Sequence, residues 1–224
     1  MKNLKTNLSQ QVEQILRSRI MLLELKEGEH LKESNLAEEF NISRGPIREA
    51  IIKLEQQGLV STSSNGRSSV SKFDIDYIKN LYEVRILLEK YAIQSLNVDL
   101  VMAEQQELKE FISKMTQNIG DNKLYHEADL NFHFQIVKMT QNITLINSWL
   151  GMKELFATLI QVTTKASTVR SQEILFEHQK IYDSICNEEY EEASNFLEEH
   201  LKGAAEYYCE AVFRLQNLEV QNGK

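Results

Sequence analysis

Residues Leu31 to Gly58 read LKESNLAEEFNISRGPIREAIIKLEQQG. The apolar positions of this run decide the fold. Leu36, Ala37 and Phe40 share one face of a short helix over Glu33 to Phe40. Ile47, Ala50, Ile51 and Leu54 recur at helical spacing and line one face of a second. Asn41-Ile42 is the turn between them. Ser43 stands just before the second helix, where its hydroxyl can accept a free backbone N–H. Pro46 falls in that helix's first turn, where a missing N–H costs little. Gly58 is placed to end it in the left-handed conformation. Two short helices joined in this way form a helix-turn-helix.

The neighbouring sequence extends the unit on both sides. Leu8 to Leu25 carries a helical apolar stripe that Lys26-Glu27-Gly28-Glu29 breaks. After Gly58, Leu59-Val60-Ser61-Thr62 and Ser68-Ser69-Val70-Ser71 read as a hairpin around the strong turn signal Asn65-Gly66. The hairpin makes the unit a winged helix-turn-helix, closed by the linker Ser71-Lys72-Phe73-Asp74. From Asp76 on the pattern is helical throughout, with helices at about 76–97, 99–118, 122–140, 143–164, 171–187 and 189–217. One proline and eight glycines in 224 residues fit this helical bias. The expected fold is mainly α: a winged helix-turn-helix over residues 1–73 and an all-α antiparallel helical bundle over 74–224.

Arg44 and Arg48 are four apart, so they share one face near the start of the second helix. Arginine pairs bidentately with guanine in the major groove, and one good pair gives about 1–3 kcal/mol of base discrimination. Gly45 keeps the surface between them low. Ser43 and the helix's first amides can hold a phosphate. Arg67, beside Gly66, can place a cation at the minor groove or the backbone. Isolated arginines would more often pair with surface acids such as Glu49 or Glu55. Here the turn, the cap position, the proline and the hairpin agree on a reader of double-stranded DNA.

The net charge of −8 is unevenly divided. Residues 1–73 hold 11 Lys and Arg against 9 Asp and Glu, while residues 74–224 hold 14 against 24. The acidic half should keep away from phosphates, and the first half remains free to approach them. No apolar run approaches the ~20 residues that span a bilayer, and the N-terminus has no apolar signal core. A cytoplasmic protein with no membrane partner is expected. Cys186 and Cys209 then read as small buried hydrophobes.

Asp129 and His133 are four apart on one expected helix and share a face. His178 lies on the next helix but one and His200 on the last. Three imidazoles and a carboxylate suit a divalent transition metal, zinc first, with nickel or manganese as the other candidates. The residues alone leave two readings open: a metal site, or histidines satisfied inside a core. Arg85 can clamp a small carboxylate by charge-assisted hydrogen bonds or pair with Glu89 one turn on. His30 and His126 read as surface residues, and Trp149 as core. Such a metal could activate water, but no separate acid–base constellation accompanies it, so no enzyme is expected.

The run Leu36-Ala37-Glu38-Glu39-Phe40-Asn41-Ile42-Ser43-Arg44-Gly45-Pro46-Ile47-Arg48-Glu49-Ala50, with Leu54 and Gly58-Leu59-Val60, resembles the GntR family of bacterial transcription regulators. The resemblance implies a homodimer on a pseudo-palindromic operator, with the helix from Arg44 in the major groove and the wing in the minor groove. Ser34 stands where many members carry a DNA-contacting arginine. Glu27-Gly28 stands in place of a common Pro-Gly pair, and Gly66-Arg67 in place of an Arg-Gly order. Downstream, Leu81-Tyr82-Glu83-Val84-Arg85 with Glu89, Asp129-Leu130-Asn131-Phe132-His133, Glu177-His178 with Ile181, and His200-Leu201 are similar to the FadR-type ligand-binding domain, FCD. The helix count is similar to its shorter, VanR-like branch. Metal-binding members use an Asp, a His on the same helix and two later His, which map onto Asp129, His133, His178 and His200. The resemblance thus implies a regulator, a repressor first, tuned by a small organic acid bound at the metal and at Arg85. The alternative is a metal-responsive regulator in which the ion itself is the signal.

Overall fold

The computed structural model describes residues 2–163 and 170–222. By internal contacts the chain divides into two compact units, Met1–Tyr77 with Ala211–Lys224, and Ile78–Glu210.

The first unit contains α1 (Lys2–Met21), α2 (Glu33–Glu39), α3 (Arg44–Gln56), β1 (Val60–Thr62) and β2 (Ser68–Val70). Val12, Leu16 and Ile20 of α1 and Ile47, Ala50, Ile51 and Leu54 of α3 are buried in its core. Burial of each such aliphatic side chain contributes about 1.5–3 kcal/mol. A polar lock crosses the α1–α3 seam. Arg17, 1% exposed, pairs with Glu13 and donates through Nε to Gln57 Oε1 at 3.0 Å. Gln57 Nε2 and Lys53 Nζ each reach a Glu13 carboxylate oxygen at 3.1 Å. The periodicity predicts a helix reaching Leu25, but α1 stops at Met21, because Leu23 takes a left-handed φ of 63°.

Asn41, at φ 52°, makes the sharp turn between α2 and α3. Gly58, at φ 75°, ends α3, and Leu59 N–H then donates to Leu54 O at 2.9 Å. Tyr77 seals this end by donating its hydroxyl to Gln57 O at 2.7 Å. In the wing, Val60, Ser61 and Thr62 pair antiparallel with Val70, Ser69 and Ser68. Gly66 closes the loop at φ 76°, its N–H bonded to Ser63 O at 2.9 Å. The segment expected only to break α1 also joins the wing. Gly28 N–H donates to Val70 O, Val70 N–H to Glu29 O and Leu31 N–H to Ser68 O, and His30 forms a bridge with Ser69.

The second unit is helical. It is built from α4 (Ile75–Gln94), α5 (Val98–Gln117), α6 (Asn122–Met139), α7 (Ile143–Thr163), α8 (Arg170–Cys186) and the part of α9 (Tyr190–Asn222) up to Glu210. The polar residues at the expected breaks act as caps. Asn97 accepts from Leu100 N, Asp121 from Leu124 N, and Asn142 from Thr144 N and Leu145 N. The expected break at Lys165 to Ser171 falls mostly outside the described residues. α6 presents buried residues on several sides, among them Tyr125, Ala128, Asp129, Phe132, His133, Ile136 and Val137. It packs against α5 and α7, which makes it the central helix of the site. No described helix is long and apolar enough to cross a membrane.

Candidate metal centre and DNA-facing surface

Asp129 and His133 lie one turn apart on α6, His178 on α8 and His200 on α9. The structure brings all four together. Each offers one ligand atom, and these atoms lie within 4.8 Å of one another. All four are buried, His133 and His178 completely and Asp129 at 9% exposure. The imidazole rings of His133 and His200 stack at 5.2 Å with a 15° tilt, and His178 stands edge-on to both.

Each imidazole has its Nδ1 tied down. His133 Nδ1 is 2.7 Å from Glu89 Oε2, His178 Nδ1 is 2.7 Å from Ile174 O, and His200 Nδ1 is 2.7 Å from Glu177 Oε2. A carbonyl or a carboxylate only accepts, so in each neutral ring the proton sits on Nδ1 and Nε2 keeps its lone pair. His178 Nε2 stands 3.1 Å from Asp129 Oδ1. That pair is close enough for a hydrogen bond, but lone pair faces lone pair. His133 Nε2 and His178 Nε2 are accordingly buried without a hydrogen-bond partner. A cation at the centre would satisfy both. Nδ1 bonds of this kind fix the orientation of metal-binding histidines.

The local field suits this arrangement. Burial pushes the Asp129 carboxyl up, but a proton on His178 Nε2, with positive charge on the His133 and His200 rings, outweighs burial and holds it well below the usual carboxylate range. Burial, and then any positive charge on the His178 and His133 rings, pushes His200 down to about 4, against the pull of Glu177 and Asp129, so its ring stays neutral and able to ligate. His133 is lowered by burial and by Arg85, against the pull of Glu89.

Arg85 lies on α4, 2% exposed, with its Nε donating to Glu89 Oε1 at 2.8 Å. The pairing with Glu89 that the spacing allows is therefore made. The guanidinium also lies over the rings of Phe156 at 4.6 Å and Tyr82 at 5.5 Å. Its Nη2 is buried with no hydrogen-bond partner. Glu89 is completely buried. Burial would raise its pKa, but Arg85 and His133 bring it down to about 2. Trp149 is core, as its apolar surroundings suggest, yet its Nε1 also donates to Glu89 Oε1 at 2.8 Å. Glu89, Trp149 and Glu177 were missed as members of the site. The spacing of Glu89 from Arg85 and the adjacency of Glu177 to His178 were the available signals. His30 is exposed, His126 is half-buried against Tyr125, and both cysteines are half-buried.

Ser43, Arg44, Gly45 and Arg48 are exposed around the start of α3, Ser34 is exposed on α2, and Gly66 and Arg67 are exposed in the wing loop. Arg48 pairs with neither Glu49 nor Glu55. Its Nε and Nη2 reach both oxygens of Glu33 on α2, each at 2.8 Å. That contact, with the added field of Arg44, lowers the Glu33 pKa. Ser43 holds the cap position with extended backbone, φ −72° and ψ 159°, but its hydroxyl makes no capping bond. Pro46, the third helical residue, lacks an N–H, which leaves Gly45 N–H as the one amide such a hydroxyl could accept from.

Comparison with known proteins agrees with both halves. The family of bacterial regulatory proteins of the gntR type matches residues 8–70, and the FCD domain matches residues 80–203. The chain belongs to the GntR family and carries an FCD domain. It is similar to the uncharacterized HTH-type transcriptional regulator YdhC of Bacillus subtilis (strain 168), 27% identical over 81% of this chain and 82% of the relative. It is also 27% identical to the gluconate operon transcriptional repressor of Bacillus licheniformis, over 67% of this chain and 63% of the relative. The solved structure of Lar, which controls expression of the Listeria monocytogenes agr system, shares the fold at TM-score 0.65 and 23% identity, covering 92% of this chain and 97% of that one. This GntR regulator is therefore a transcriptional regulator whose DNA reader is a winged helix-turn-helix.

Proposed function

We propose that this GntR regulator is a cytoplasmic repressor whose operator affinity is set by a small organic acid bound at a divalent metal in its FCD domain. The carrying observation is the convergence of three imidazoles with Nδ1 tied down, two of them with a buried and unpartnered Nε2, beside an ionised Asp129. Asp129, His133, His178 and His200 are the ligands, and zinc is the first candidate. An ion held by four protein ligands supplies a Lewis-acidic position for an oxygen of the acid. The unpartnered Nη2 of Arg85 is the donor for a second acidic group. No catalysis is assigned to the chain.

Residues 1–73 form the DNA reader in this proposal and residues 74–224 the sensing and dimerising half. A homodimer sets two α3 helices about 34–36 Å apart in successive major grooves. Arg44 and Arg48 read bases there, Gly45 lets the backbone come close, and Ser34, Ser43, Gly66 and Arg67 meet the phosphates and the minor groove. The free hydroxyl of Ser43 and the uncapped amides of α3 fit a phosphate contact. Coupling between acid and operator is about 1–3 kcal/mol, roughly 5–150-fold in affinity. The test is a panel of small mono- and dicarboxylates titrated by calorimetry into zinc-loaded and chelator-stripped protein. Acids that bind only the loaded form support the proposal, and equal binding to both refutes docking on the ion. If zinc alone, without any acid, moves operator affinity, the ion is the signal.

A further inference from the structure

Among the described residues Glu89 is the one side chain that touches both halves of the sensing site. Its Oε1 accepts from Arg85 Nε and Trp149 Nε1, each at 2.8 Å, and its Oε2 faces His133 Nδ1 at 2.7 Å. Arg85, Glu89, His133 and Trp149 are each 2% exposed or less, so no water competes for these bonds. Two donors grip one oxygen, and this fixes the carboxylate plane and aims the other oxygen at the imidazole. The i,i+4 spacing of Arg85 and Glu89 on α4 builds the grip into a single helix.

We infer that Arg85 is a positioning residue for the metal ion as well as the clamp for the acid, acting through Glu89 on His133. The inference rests on the metal-site reading above. Arg85 and Trp149 orient Glu89, Glu89 holds the His133 ring with its bare Nε2 toward the centre, and the ion takes that lone pair. Outer partners of this kind tune metal affinity about 10–100-fold. Arg85 still has its buried Nη2 without a hydrogen-bond partner. An anion captured there shares one cation with the carboxylate that steers His133, so metal and anion affinities are linked. Linkage is reciprocal: whatever factor the anion exerts on the metal, the metal exerts on the anion.

The experiment measures zinc affinity by competition with a chromophoric chelator, and the cobalt(II) absorption spectrum, on the full-length chain. Arg85→Met and Glu89→Gln are each expected to weaken zinc about 10–100-fold and to shift the cobalt ligand-field bands. The double variant should lose no more than the worse single one, because both changes break the same relay. Zinc affinity of Arg85→Met equal to wild type, or losses that multiply in the double variant, would overturn the inference. Arg85→Met strands a buried carboxylate and can fail to fold. Two variants that avoid this carry the same test. The double variant removes both charges, and Trp149→Phe leaves both in place while taking one donor from Oε1. A Trp149→Phe affinity reduced about 3-fold or more supports the relay, and an unchanged affinity and cobalt spectrum refute it. His178→Ala separates the two readings. If wild type and His178→Ala bind zinc alike, the metal site itself is wrong. If only His178→Ala loses zinc, while Arg85→Met and Glu89→Gln bind as wild type, the relay alone is wrong.

Discussion

Loading the histidine cluster with zinc should stabilise the helical unit by an amount that can be worked out beforehand. His178 Nε2 and Asp129 Oδ1 face each other at 3.1 Å, and His133 Nε2 is buried without a partner. Each unsatisfied buried polar group costs about 1–3 kcal/mol, and a divalent ion relieves them together. In a tetrahedral site with bonds of about 2.1 Å the ligand atoms stand about 3.4 Å apart. Against the observed limit of 4.8 Å, the farthest pair draws in by about 1.4 Å on binding. With free zinc at about 100 times its dissociation constant, the native state gains about 2.7 kcal/mol. A unit of the size of Ile78–Glu210 shifts its midpoint by roughly 3–5 °C per kcal/mol. The expected rise in melting temperature is then about 8–14 °C, read by differential scanning fluorimetry against chelator-treated protein. In His178→Ala the rise should collapse while α1 to β2 stay folded. A wild-type melting curve indifferent to zinc, or an equal rise in His178→Ala, would refute the reasoning.

Three further outcomes concern the DNA reader. Arg48→Ala should weaken operator binding by about 5–150-fold, corresponding to the 1–3 kcal/mol of one guanine pair, and weaken random DNA far less; equal losses in a fluorescence-anisotropy titration would make Arg48 a backbone contact. Glu33→Gln frees Arg48 from its bidentate partner and removes a negative charge from the DNA face, so affinity for any duplex should rise, most at low salt; a weaker complex would show that Glu33 serves to orient Arg48. Gly58→Ala forces a Cβ into a φ of 75° with the Tyr77 ring 3.8 Å away, and should cost about 1–2 kcal/mol in a urea titration; an unchanged midpoint would mean the end of α3 relaxes freely.

The helices were legible because apolar periodicity is a local property. Ile47, Ala50, Ile51 and Leu54 had to face inward whatever they packed against, and they do. That Asp129, His133, His178 and His200 form one cluster was legible because Asp and His in that order carried a resemblance, and α6 places two of them on one face by spacing alone. What holds them was less visible. Glu89 pairs with Arg85 within α4, which spacing allows, but its bonds to Trp149 on α7 and His133 on α6 exist only after the helices dock. The third segment of the wing, Gly28 to Leu31, shows no strand-like alternation, since it borrows its pairing from β2. Glu13 and Arg17 sit among apolar positions and look solvent-facing, yet they neutralise each other inside the α1–α3 seam. The uncapped hydroxyl of Ser43 is different. Pro46 stood three residues on in plain sight, and the missing amide could have been deduced.

The two arginines proposed to meet ligands are each held by a glutamate, and burial separates their behaviour. The Arg48 side chain is 65% exposed, and that of Glu33 31%. Water and salt screen such a pair, so its net worth is small and phosphate or guanine can replace Glu33 without leaving a charge stranded. Arg85 and Glu89 are 2% and 0% exposed. Separating them would leave a carboxylate uncompensated inside the protein, a cost of about 3–5 kcal/mol, more than the 1–3 kcal/mol that couples the sites of a typical regulator. On the proposed reading, an acid would therefore add itself to the unpartnered Nη2 of Arg85 and leave Glu89 in place. The exposed pair is built to exchange partners and the buried one to keep them. This is the division of labour the proposed function requires: a reader that lets go of DNA and a sensing site that keeps its charge pair.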